Sequence, residues 1–513
     1  MNGIFSDGLP FGGGALAFIL LYLLSLIGVG ILGRRASKEN SMRDFYLGGQ
    51  GVGFLILWLT LFATQYSGNT IIGFTGKASQ IGFAWITSVQ FMTMIVVGYL
   101  LFAPKLHRLS RKYSFITPTD FLTHRFNNRP LSVLATVVMV AALGNFFLAQ
   151  LTAMGRAVEG LTSVDPETAF MWGVILLAGI MLVYETLGGF RAVAWTDVIQ
   201  GGILAIGFAI LLVLVFTRFG SPEETTRKLL ENSPELALPP KGALLKGWIN
   251  YIFLLGIGAA LYPQAIQRIY AAKSERALRR GLAAMSFMPL CSALVATLVG
   301  VTVAAHLPGE LVGGSSDTAL TVMLRQIQGG SVFGYCLVVV IFSAILGAIM
   351  STGDSALLSI SSMLTKDIYA GLIRPGASEA SLTRLGKTIS AVLVIVLAWL
   401  AIYLNGFGEK ITLVQLLGMK FEMLIQLAPA FMIGIHWKRM QGWPVFAGVT
   451  VGLIFSLSFF WIGRDAGGIA GWVKNSGFSP GLFGLVLNIA IAVSGSLISR
   501  KIPVTAMKHS EGG

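Results

Sequence analysis

Apolar stretches long enough to cross a lipid bilayer succeed one another along almost the whole chain, at about residues 14–34, 52–75, 82–104, 131–160, 169–187, 193–217, 247–267, 281–306, 332–364, 385–404, 411–436, 443–463 and 479–499. A spanning helix needs about 20 predominantly apolar residues, and backbone at bilayer depth must satisfy its own hydrogen bonds. So many runs predict an all-α polytopic membrane protein with about 13 transmembrane helices. Composition agrees: 55% of the 513 residues are hydrophobic and only 12% charged, too apolar for a soluble chain of this length.

The formal net charge of +14 raises the question of nucleic acid, but Lys and Arg are scattered through short loops and form no basic domain. They concentrate in alternate connections, at Arg34-Arg35, Lys105 through Lys112, Arg268 through Arg280 and Lys438-Arg439. By the positive-inside rule these face the cytoplasm, which puts the N-terminus outside and the C-terminus inside a plasma (inner) membrane. No Lys or Arg precedes the first apolar run, so that run reads as a spanning helix and not a cleaved signal. Cys291 and Cys336 stand far apart in apolar segments and support neither a disulfide framework nor a metal motif. The polar segments 218–246 and 307–330 have room for short surface helices but not for a catalytic domain. The chain is expected to be one transmembrane domain, divided into 14–51 (first helix and loop), 52–217 and 247–436 (two repeats) and 437–513 (last two helices and cytoplasmic tail).

Two predicted spans are interrupted. The second carries Thr64-Gln65-Tyr66-Ser67-Gly68-Asn69-Thr70 at mid-depth, and the seventh carries Gly256-Ile257-Gly258 before Tyr262-Pro263-Gln264. Paired discontinuous helices at corresponding positions of two halves are a mark of transporters built from inverted repeats, with the binding site at the repeat interface. The predicted repeats are helices 2–6 and 7–11.

The ninth span is polar where it should be driest. Along Gly347 to Leu358, Ala348, Ser351, Thr352 and Ser355 fall on one helical stripe, with Asp354 on its flank. A charged residue at bilayer depth costs roughly 2.5–3.5 kcal/mol on insertion scales and usually faces a bundle interior or a water-filled path. A hard cation such as sodium wants oxygen ligands, which a broken helix and neighbouring hydroxyls supply. The competing explanation is that these hydroxyls bond back to carbonyls of the preceding turn. Asp197, near the inner end of the sixth span, reads equally as a helix cap or as part of an ion path. Lys420 and Glu422 in the eleventh span read as a compensating pair or as side chains snorkelling to an edge, or else as lining a solute path in which Lys420 attracts a carboxylate. Phe146, Phe147 and Gln150 of the fourth span read as packing or as pocket residues. No enzyme constellation converges, so no catalytic residue is expected. His107, His124, His306, His436 and His509 lack paired-ligand spacing, and His107 and His124 suit a solvated basic face.

Trp195-Thr196-Asp197-Val198-Ile199-Gln200, Gln267-Arg268 with Ala271-Ala272-Lys273, and Ala348 through Thr352 continuing to Lys366-Asp367-Ile368-Tyr369 resemble bacterial-type members of the sodium/solute symporter family, which includes proline, pantothenate, sialic acid, sugar and choline carriers. The resemblance implies a LeuT-like core of two inverted five-helix repeats and alternating access driven by inward sodium flow. It further implies a sodium site made by the carbonyls of Ala63, Tyr66 and Ala348 with the hydroxyls of Ser351 and Thr352. A second sodium site of some members maps onto Asp197, Ser351, Asp354 and Ser355, where Asp354 replaces a hydroxyl residue.

Departures bear on the solute. Proline carriers have an aspartate at the position of Gln65 and a tyrosine at that of Phe146, while sugar carriers place a gating tyrosine where this chain has small residues around Gly258. The expected solute is an organic acid or amino-acid-like molecule, a monocarboxylate being the narrowest form, with Gln65, Ser67, Asn69, Phe146, Gln150, Tyr262, Gln264, Lys420 and Gln426 near it. The expected partners are that solute, sodium and the bilayer, with no nucleic acid and no obligate protein. A proton-coupled carrier of the same fold and a transporter-fold membrane sensor are the alternatives.

Overall fold

The apolar runs fold as helices, and among the described residues there is no strand, only an isolated bridge between Val52 and Ala272. The computed structural model describes residues 11–37, 39, 41–159, 165–309, 316–406, 413–461 and 468–499. In chain order the elements that position the site are α1 (Gly13–Arg35), α2 (Phe54–Gln65), α3 (Gly68–Ile81), α4 (Thr87–Tyr113), α5 (Pro118–Phe126), α6 (Arg129–Glu159), α7 (Pro166–Phe219), α8 (Ala243–Ala260) and α9 (Pro263–Ala271). They continue with α10 (Ala293–His306), α11 (Val332–Met363), α12 (Glu379–Asn405), α13 (Leu413–Leu424), α14 (Gly442–Trp461) and α15 (Pro480–Ile498).

Ten described helices are long and apolar enough to cross a membrane by length and composition. The difference from the predicted count falls on three spans. The second is cut into α2 and α3, the fifth and sixth run together as the 54-residue α7, and the eleventh passes from α13 into short 3₁₀ and π turns at Ile425–Leu427 and Pro429–Ile433. Within α7 the break is at Gly189, whose φ of 55° is a left-handed conformation that glycine alone adopts freely. A Cβ there would also stand 2.6 Å from the Phe45 carbonyl oxygen, so both backbone and space demand glycine.

Large apolar side chains face outward along the helices, among them Leu21, Ile206 and Ile395, while Trp172, Trp443 and Trp461 are exposed at helix ends. That distribution suits a surface solvated by lipid tails with indoles at the interfaces. Both polar segments carry a short helix: Pro222–Asn232 lies on the surface, whereas Ala319–Gln328 is mostly buried, because its apolar residues Leu320, Met323, Leu324 and Ile327 pack into the bundle.

Both interruptions predicted from sequence are real breaks. α2 ends where Tyr66 takes φ −108° and ψ 76°, and α3 begins after Ser67. α8 ends at Leu261, and Pro263, which has no N–H to continue the ladder, opens α9. The ends of these broken helices that carry the bridge are stitched together: Val52 N–H donates to the Ala271 carbonyl at 3.1 Å and Lys273 N–H to the Val52 carbonyl at 2.8 Å. His107 joins this seam, its Nε2 lying 3.0 Å from the Ala272 carbonyl oxygen. His107 is therefore buried, not on a solvated face, because the returning backbone after α9 covers it; His124 is exposed as expected.

The continuation of α11 as Leu364–Ile373 is fastened to α5 and α6. Asp367 accepts from Thr117 at 2.7 Å, Thr119 at 2.5 Å and Thr136 at 3.3 Å, and Lys366 pairs with Asp120.

Candidate functional site

The break after α2 frees carbonyl oxygens of its last turn, because no further turn follows to donate to them. One of these, Ala63 O, faces α11. The Thr352 hydroxyl lies 3.3 Å from Ala63 O and 2.8 Å from Ala348 O, so two carbonyls from different helices meet at one side-chain oxygen. Thr352 and Ser355 do bond back to the preceding turn, Ser355 Oγ donating to Ser351 O at 2.8 Å. Ser351 does not: its hydroxyl donates across the bundle to Asp197 Oδ1. Hard, uncharged oxygens gathered at a broken helix suit a weakly held monovalent cation.

Asp197 is completely buried. Gly189 places it well inside the second limb of α7, not at a helix start, so the capping explanation is corrected: its carboxylate is turned into the bundle. Its Oδ2 accepts from the Thr60 hydroxyl and from Arg268 Nη2, the latter at 2.9 Å. Arg268 extends the network, with Nε to Thr60 Oγ1 at 2.8 Å, Nη1 to Gln264 O at 3.1 Å and Nη2 to Ser355 Oγ at 2.7 Å. One guanidinium thus joins α2, α7, α9 and α11. Its planar fork of five donors is the only side-chain geometry that reaches so many acceptors at once.

Arg268 was read from sequence as an inward-loop cation; it is instead 1% exposed within α9. The sequence places it one residue type after another in a basic stretch, and only the return of Asp197 from another helix distinguishes it from Arg279 or Arg280. Thr60 carries no motif that marks it in the sequence. Its only sequence signal is its place one turn before Ala63 on the same helix.

The second set of candidate sodium ligands divides. Asp197, Ser351 and Ser355 come together, but around the Arg268 guanidinium. Asp354 is fully buried and neither carboxylate oxygen has a hydrogen-bond partner; it lies near Tyr184 of α7.

Of the candidate solute residues, Phe146, Tyr262 and Lys420 form one cluster. The Phe146 and Tyr262 rings stack at 5.4 Å and 16°, Phe421 stands 5.5 Å from Tyr262, and the Lys420 ammonium sits 3.4 Å from the Phe146 centroid. It is also 5.0 Å from the Tyr262 ring and 5.1 Å from that of Phe421. Lys420 is 1% exposed and its Nζ has no hydrogen-bond partner. A desolvated cation–π contact is worth about 2 kcal/mol or more. The effective cost of burying an ammonium is several kcal/mol, of the same order as what the ring contacts return, and its three N–H donors are still left without an acceptor among the described residues.

The compensating pair expected from sequence is not made. Glu422 is turned toward α14 and α15, where its Oε2 accepts from Ser456 at 3.3 Å. Gln426 is engaged with α15: its side-chain Nε2 donates to Gly481 O at 2.9 Å, and Asn488 Nδ2 donates to its backbone carbonyl at 2.6 Å and to its Oε1 at 3.5 Å, so the side chain ties α13's continuation to α15. Gln65 Nε2 reaches the Tyr99 hydroxyl at 2.5 Å and Ala259 O at 3.4 Å, joining the two broken helices. Gln150 and Gln264 are buried with both amide atoms unpartnered. Ser67 is buried at the break, its carbonyl receiving the N–H groups of Thr70 and Ile71. Asn69 lies on α3, but its side chain is outside the described residues.

Broken helices that meet at mid-bundle, hydroxyls and free carbonyls at the break, and a separate buried polar cluster define a secondary transporter of the membrane. The chain belongs to the sodium:solute symporter family, whose model matches residues 45–452. It is 27% identical to the osmoregulated proline transporter OpuE of Bacillus subtilis, over 90% of this chain and 91% of that one. The sodium/pantothenate symporter of Haemophilus influenzae is 25% identical, over 85% and 88%. Among solved structures, a Na+-coupled sialic acid symporter superposes with a TM-score of 0.77 at 19% identity, over 95% of this chain and 98% of that one. A nucleobase-cation-symport transporter with bromovinylhydantoin bound gives 0.54 at 15%, which speaks for the shared fold. The protein is an integral membrane carrier that couples sodium to uptake of a small solute.

Proposed function

We propose that sodium binds between α2 and α11, at the carbonyls of Ala63, Tyr66 and Ala348 and the hydroxyls of Ser351 and Thr352, and that its binding closes the break of α2 around the solute. The observation that carries this reading is the Thr352 hydroxyl within 3.3 Å of both Ala63 O and Ala348 O. A cation there holds two helices of different halves of the chain, and its loss releases them. That differential interaction is what alternating access requires of the coupling ion. The breaks at Tyr66 and Leu261, five predicted spans apart, support division into repeats over 52–217 and 247–436. The solute is an organic acid or amino-acid-like molecule lying against Phe146, Tyr262 and Lys420. The carrier works in a plasma membrane with its N-terminus outside, without an obligate protein partner.

Arg268 already supplies positive charge to Asp197 and Ser355, which favours one sodium per cycle. A second reading adds another cation at Asp354, and the observation favouring it is that both carboxylate oxygens lack a partner. Uptake into proteoliposomes distinguishes the readings. Accumulation that vanishes when the sodium gradient is collapsed supports the first; accumulation driven by a pH gradient in sodium-free buffer would replace it with proton coupling.

A further inference from the structure

Lys420 is a buried cation whose Nζ has no acceptor among the described residues. An ammonium carries three N–H donors, and buried polar groups in native proteins are nearly always satisfied. Among the described residues, the neighbours that respond to its charge are the faces of Phe146, Tyr262 and Phe421, and no ion pair or hydrogen bond is made to its Nζ. Glu422, the acid nearest in sequence, is engaged with Ser456 on the other side of α13. What the site lacks is an acceptor for these donors, and an anion would satisfy the charge as well as the hydrogen bonds.

The surroundings say what else that partner carries. Three aromatic rings enclose the ammonium, and they offer hydrocarbon surface but no anionic group for a second, positive end of a ligand. Gln65, the polar side chain that joins the two breaks, is neutral and already bonded to Tyr99 and Ala259. A quaternary ammonium would be repelled by Lys420, and the α-ammonium of an amino acid would find no counter-charge in the cluster.

We infer that the carried solute is a short monocarboxylate, its carboxylate accepting from Lys420 Nζ and its apolar body lying on Phe146, Tyr262 and Phe421. This rests on the reading of the chain as a sodium-coupled carrier and narrows it to one charge type. It also gives the aromatic cage a purpose: the rings hold the ammonium in place while the site is empty and pass it to the anion when the solute arrives.

The test is binding to the purified full-length chain, by thermal shift and isothermal titration, with and without sodium. The probes are propionate, pyruvate and L-lactate, set against propionamide, propylammonium and L-proline. The expected result is sodium-dependent stabilisation by at least one carboxylate, with propionamide at least tenfold weaker and propylammonium and L-proline inactive. Lys420→Met is expected to lose at least tenfold in carboxylate affinity while keeping the stabilisation that sodium alone confers. Propionamide or L-proline binding as tightly as any carboxylate, no carboxylate binding at all, or unchanged affinity in Lys420→Met each overturns the inference. If Lys420→Met does not fold, the wild-type comparison of propionate with propionamide decides it. Stabilisation by sodium alone separates this outcome from failure of the carrier reading: with sodium effective and carboxylates inert, only the assignment of the solute falls.

Discussion

Arg268 Nη2 donates to Asp197 Oδ2 at 2.9 Å, and both side chains are almost wholly removed from solvent. The pair is the hub through which four helices meet directly beside the Thr352 oxygens. Replacing a buried ion pair with apolar groups is often neutral, but removing one partner leaves an uncompensated charge and costs about 3–5 kcal/mol. Arg268→Met should therefore lower thermal stability strongly, and Asp197→Asn in the same chain should restore much of the loss. A single and a double variant of equal stability would show that the pair is not an energetic unit.

Thr352 touches two carbonyls where Ser351 touches none of them, its hydroxyl going to Asp197. Loss of one ligand of about 1.4 kcal/mol weakens binding tenfold. Thr352→Ala is expected to raise the sodium concentration for half-maximal uptake by about that factor, and Ser351→Ala by less. Uptake at varied sodium, normalised to protein in the membrane, checks both. Wild-type sodium dependence in the two variants would make the hydroxyls structural only.

Asp354→Ser tests whether a second cation is carried. With Arg268 holding the charge beside Asp197, the ratio of radiotracer sodium to solute should stay at one in both proteins. A ratio that changes on substitution assigns Asp354 to an ion site.

One sodium with one monocarboxylate moves no net charge. Uptake should therefore be insensitive to a potassium diffusion potential imposed with valinomycin. Acceleration by an inside-negative potential would mean either more sodium ions or a neutral solute.

The spans, both broken helices and the oxygen stripe of α11 were legible in sequence because each depends on local properties: hydropathy, a Gly or Pro that interrupts a ladder, and the period of a helix. Arg268 and His107 were misread for the complementary reason. Each stands in a run of basic residues that resembles a solvated loop, and each is buried by a segment remote in the chain, Asp197 for one and the backbone at Ala272 for the other. Gln426 is about 240° round the helix from Lys420, which sequence periodicity registers, but which of the two faces the solute depends on where α15 packs.

The sequence by itself determined a polytopic helical membrane protein with a stripe of oxygen-bearing side chains in its ninth span, since a chain of this hydropathy must satisfy its backbone within helices at bilayer depth. Only the tertiary structure decided how the charges are shared. Asp197 pairs with Arg268, Glu422 turns to Ser456, and Lys420 is left with three rings and, among the described residues, no acceptor, because pairing among buried charges follows distances between helices that no local pattern contains.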